Sequence, residues 1–131
     1  MKNLISFKLA GTLTVTIIVL LIILHILILL DVVPSDIVWG GKAADKALLI
    51  KLEIFSLVTS FIFLGIVLLK VNQDKFSKYK KAINYAVIVI CVYFGLNIVG
   101  NLTAEATTEK LIFTPVTIIL TLLLFRLALE K

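Results

Sequence analysis

Two ionisable side chains sit inside otherwise uninterrupted apolar sequence: His25, within "VLLIILHILILL", and Glu53, within "LLIKLEIFSLV". An imidazole and a carboxyl within reach of each other can share a hydrogen bond, bind or pass a proton, or act as acid and base. Placing a carboxylate deep in a membrane helix costs about 2.5–3.5 kcal/mol, so Glu53 should face a partner or water rather than lipid. His25 is the nearest candidate. The alternative is a protonated Glu53 bonded to Asn97 or Ser56, because burial favours the neutral acid. Glu53, Ser56 and Ser60 recur at helical spacing, as do Tyr93, Asn97 and Asn101, so each set occupies one face of its helix. The candidate ligand-binding set is therefore His25, Glu53, Ser56, Asn97 and Asn101, roofed by Trp39. Against this stands the ordinary role of serine and asparagine in membranes, which is to join helices by hydrogen bonds.

The elements that carry these residues are set by composition. The chain has 131 residues, 61% of them hydrophobic, with a mean hydropathy of +1.17, against roughly 45–50% apolar residues in soluble domains. Four stretches reach the roughly 20 apolar residues that a membrane helix needs: about 9–30, 47–69, 82–102 and 111–129. The expected fold is all-α, a single-domain four-helix transmembrane bundle over residues 1–131, running up-down-up-down. "VTIIVLLIIL" and "VTIILTLLLF" are apolar all round, unlike the alternating strands of a barrel. Lys2 and Lys8 precede an apolar run too long for a secretory signal, which reads as a retained first span.

The net charge of +5 reports topology here rather than nucleic acid, because the lysines lie in short segments between apolar runs and no nucleic-acid module is visible. One side carries Lys2, Lys8, Lys70, Lys75, Lys78, Lys80, Lys81, Arg126 and Lys131; the other carries Lys42, Lys46, Lys51 and Lys110. That asymmetry predicts an N-in/C-in protein of the cell (inner, cytoplasmic) membrane. His25 and Glu53 then lie at matching depth, about 7–9 Å below the outer boundary, with Asn97 comparable and Asn101 one turn above. The inner halves read as mostly Leu, Ile, Val and Phe.

Two details concern helix ends. Pro34 biases Val33 away from helix and helps to stop the first span, after which "DVVPSDIVWGG" is long enough to fold over the outer end of the bundle as a lid. Pro115 is expected inside a fourth helix that starts near Thr108, with Glu109 in its positive first turn. Cys91 is the only cysteine, which excludes an intramolecular disulfide, and no metal set, cofactor motif or nucleophile stands out. Cys91 itself reads as a small core residue.

"PSDIVWGG" after the first span, a glutamate and serine in the second, and "LNIVGNL" closing the third resemble a group of small uncharacterised four-span bacterial membrane proteins. The resemblance covers most of the chain and implies the same architecture and no activity. The single first-span glutamate of small multidrug pumps and the glycine-rich arginine motif of small fluoride channels are missing. Three functions follow for comparison. The leading one is a pocket in the outer leaflet that binds or passes a small polar or amphipathic ligand or a proton. The others are a structural or accessory subunit, and, ranked lower, a membrane enzyme using His25 and Glu53 on a lipid-like substrate. The bilayer is the one partner implied directly, and the chain's size is compatible with a homodimer.

Overall fold

The computed structural model describes residues 1–35, 45–105 and 107–131. Four long helices are formed: α1 (Phe7–Leu29), α2 (Lys46–Val71), α3 (Lys80–Leu102) and α4 (Thr107–Ala128), with a single 3-10 turn at Ser77–Tyr79 before α3. Each is long and apolar enough to cross a membrane. No strand occurs among the described residues. The helix boundaries lie within a few residues of those expected, the largest extension being at the start of α4, and Pro115 lies inside that helix.

Local chemistry accounts for the ends. Ser6 caps α1 by accepting a hydrogen bond from the Leu9 backbone N–H at 3.1 Å, and Asp45 caps α2 by accepting from Ala47 N–H at 3.1 Å. The far end of α1 closes ahead of Pro34. Asp31 takes a left-handed conformation, φ 56°, and the N–H groups of Asp31 and Val32 return to the carbonyls of Ile28 and Leu27. That pair of bonds is the Schellman closure, which usually employs glycine at the left-handed position.

The bundle closes as a ring, in which α1 packs on α2, α2 on α3, α3 on α4 and α4 on α1. One polar contact joins each successive pair of helices: His25 bonds Glu53, Lys70 bonds Asn84, and Asn101 bonds Thr117. Ile18, Val67, Val87, Ile90, Leu120 and Leu124 are buried between the helices. The outer surface is apolar too, with Phe55, Leu96 and Leu111 exposed at 63%, 68% and 71%. A water-soluble monomer rarely exposes continuous apolar surface of this kind, whereas lipid covers it without cost. The chain is thus built as a multi-pass membrane protein.

At the expected inner end of the mostly apolar bundle two basic side chains are buried. Lys70, at the end of α2, is fully buried, and its Nζ donates to Gln73 Oε1 at 2.8 Å, to Asn84 Oδ1 at 2.7 Å and to the backbone carbonyl of Glu130. Arg126 is also buried; its Nε donates to the Ile5 carbonyl at 2.8 Å and its other nitrogen to Glu130 Oε2 at 3.1 Å. The ammonium spends all three of its N–H donors, which is the condition for burying a charge without a large penalty. These bonds tie the C-terminal segment to the end of α2, α2 to the first turns of α3, and the N-terminal segment to the end of α4.

Candidate functional site

At the opposite end, His25 Nδ1–H donates to Glu53 Oε2 at 2.6 Å. Glu53 is fully buried and the His25 side chain is 16% exposed. The contact follows from position. His25 lies four residues before the end of α1 and Glu53 seven after the start of α2, so helices meeting end to start bring the two side chains level. A bond at this length with one ionisable partner is of the strong, charge-assisted kind. With Glu53 ionised, a neutral ring carries its proton on Nδ1 and leaves Nε2 as the acceptor.

Beside this pair is a cavity of about 150 Å³, bounded by all four helices. His25 and Leu21 line it from α1, Ser56, Thr59, Ser60 and Phe63 from α2, Tyr93, Phe94, Asn97 and Asn101 from α3, and Glu109, Phe113 and Thr117 from α4. Of the residues expected to form a pocket, the structure brings His25, Ser56, Asn97 and Asn101 to one lining. Glu53 departs from that expectation. It is not part of that lining, and its Oε2 meets the lining residue His25 at 2.6 Å. Trp39, the expected roof, and the lid residues around it lie outside the described residues.

The two asparagines behave differently. Asn101 is buried and donates across to Thr117 Oγ1 at 3.2 Å, which ties α3 to α4. Asn97 donates to its own helix, at the Tyr93 carbonyl 2.9 Å away, so its amide oxygen is not spent on helix packing. Phe63, Tyr93 and Phe94 form a mutually edge-on cluster, with ring centroids 5.1, 5.3 and 5.8 Å apart, which stiffens one wall. Cys91 packs half-buried with its Sγ 3.5 Å from the Thr121 carbonyl, away from the cavity.

Sequence reasoning missed Glu109, Phe113 and Thr117 as site residues. Their spacing of four puts them along one strip of α4, and that was the available signal. No protein-family model matches the chain, and neither a curated protein nor a solved structure matches it.

Proposed function

We propose that this chain is a small membrane protein that binds, or hands on, a small polar or amphipathic ligand or a proton in its polar cavity. The observation that carries the reading is the His25–Glu53 bond: a fully buried carboxyl holds one edge of an imidazole that borders a cavity in which hydroxyls, amides and the Glu109 carboxyl stand among aromatic and aliphatic side chains. A pair that served only to join α1 and α2 has no need of that space. Asn97, which bonds its own helix rather than a neighbour, supports the same reading. In this reading Nε2 accepts a hydrogen from the ligand, Asn97 orients it, and Glu53 sets the ring's tautomer. On the lysine distribution both termini are cytoplasmic and the cavity lies in the outer leaflet of the cell membrane.

His25 being the only histidine, its ring nitrogens can be followed singly by isotope-edited NMR in detergent. The expected spectrum has the proton on Nδ1, an Nε2 signal that moves on adding glycerol as a small polar probe, and loss of that tautomer preference in Glu53→Ala. An Nε2 signal indifferent to added probe, with the tautomer unchanged in Glu53→Ala, rejects the reading.

A second reading is favoured by the same dyad. An imidazole oriented by a carboxyl and placed in one cavity with Ser56 and Ser60 has the parts of an acyl-transfer site for a lipid-like ester. Labelling of either serine by a fluorophosphonate, abolished in His25→Ala, would establish it over simple binding.

A further inference from the structure

Alongside the polar cavity runs a second, apolar space of about 420 Å³ between α1 and α4, lined by Ile17, Leu20, Leu24, Ile112, Val116 and Ile119. Leu21 and Phe113 belong to both linings, so the two spaces adjoin at this pair of side chains. We propose that the ligand is a single-chain amphiphile with an uncharged, hydroxyl-bearing head: the head sits beside His25 and the alkyl chain leaves sideways past Leu21 and Phe113 into the groove. This deepens the binding reading above and rests on it.

Three observations converge. Size is the first, because the polar cavity alone falls below the roughly 300–1,000 Å³ usual for small-molecule sites, whereas cavity and groove together fall within it. Chemistry is the second. Among the described residues the cavity lining has Ser, Thr, Tyr and Asn groups, His25 and Glu109, with no lysine or arginine. Within that described lining an anionic head would meet the Glu109 carboxyl group with no lysine or arginine beside it. A hydroxyl donates as well as accepts, and so satisfies an Nε2 acceptor and amide or hydroxyl groups at once, whereas an ammonium offers donors alone. Location is the third. The groove lies along transmembrane helices, where an acyl chain is the surrounding solvent. Entering it from lipid gains little hydrophobic free energy, so the head decides selectivity and the groove supplies the route.

The experiment uses the full-length protein in lipid nanodiscs, with a monoacylglycerol carrying a diazirine in its acyl chain as probe. Photolysis and mass spectrometry locate the adducts, and the His25 Nε2 signal is recorded alongside. The expected result is adducts concentrated on 17–24 and 112–119, displaced by unlabelled monoacylglycerol but not by a lysophosphatidic acid of equal chain length. Leu20→Trp and Ile119→Trp, which fill the groove, should cut adduct yield and the lipid-induced Nε2 shift several-fold while leaving the response to glycerol intact. Both side chains are more than half exposed, at 59% and 51%, so the larger ring need not enter the core, and an unchanged melting temperature checks this. Adducts spread evenly over every lipid-facing helix, displacement by the phosphate lipid as effective as by the monoacylglycerol, or groove-filled variants that bind normally, each overturn this inference. If glycerol still moves Nε2 in those cases, the binding reading survives alone; if neither glycerol nor lipid moves it, both fall.

Discussion

At the scale of single residues, α4 offers a controlled comparison. Thr117 Oγ1 bonds the Phe113 and Thr114 carbonyls and accepts from Asn101, whereas Thr114 Oγ1 is buried with no hydrogen-bond partner among the described residues. A buried hydroxyl left unmatched costs about 1–3 kcal/mol, and valine has nearly the same shape without it. Thr114→Val is therefore expected to stabilise the protein by up to about 1 kcal/mol, while Thr117→Val strands the Asn101 amide and destabilises it by about 1–3 kcal/mol. Thermal unfolding in detergent distinguishes the two, and equal effects of the same sign would contradict the assignment. The site residues differ in how far sequence betrayed them. His25 and Glu53 could be matched because both depths are counted from the ends of apolar runs. That Glu53 is not part of the cavity lining depends on the rotation of α2 about its axis, and no pattern records it when lipid-facing and core-facing residues are equally apolar. Glu109 was taken for a partner of the helix dipole, which any acid in a first turn resembles. Lys70 and Arg126 were taken for topology markers, since a basic residue at a helix end looks the same in sequence whether it reaches outward or folds in.

At the scale of elements, the approach of α1 to α2 turns on one missing methyl group. A Cβ built on Gly11 would lie 2.5 Å from Val71 Cγ1, so the last turn of α2 rests against the bare backbone of α1. Gly11→Ala should push the two helices apart and cost about 1–3 kcal/mol as overpacking. Val71→Ala removes the opposing methyl, so the double variant should recover most of the loss. A double variant no more stable than Gly11→Ala alone would place the strain elsewhere. Helix lengths were legible because membrane thickness fixes them, and their ends less so. Pro34 marks the end of α1 only approximately: the chain turns three residues earlier at Asp31, a residue type that tolerates the left-handed region without advertising it as glycine would. Capping by Ser6 and Asp45 used ordinary cap residues that occur too often to be singled out from sequence.

At the scale of the whole molecule, the buried inner cluster bears on which way the chain crosses the bilayer. The positive-inside rule counts lysines and arginines presented in the loops and near the span ends, and Lys70 and Arg126 are spent on internal acceptors instead. Setting both aside leaves Lys2, Lys8, Lys75, Lys78, Lys80, Lys81 and Lys131 against Lys42, Lys46, Lys51 and Lys110, so the asymmetry persists. Its weight now falls on the α2–α3 connection, where Lys75 and Lys78 are exposed and Lys80 pairs with Asp74 at 2.8 Å. This connection and the two chain ends should face the cytoplasm, and the cavity should open on the other side, where a ligand arriving from outside or from the outer leaflet reaches it. In a Cys91→Ser background, Glu105→Cys is expected to react with a membrane-impermeant maleimide on intact cells, and Lys78→Cys only after permeabilisation. The reverse pattern would turn the cavity toward the cytoplasm, and any ligand would then have to come from the inner leaflet. Neutralising the connection by replacing Lys75, Lys78, Lys80 and Lys81 with glutamine should leave a mixed population labelled from both sides, because the remaining charges nearly balance.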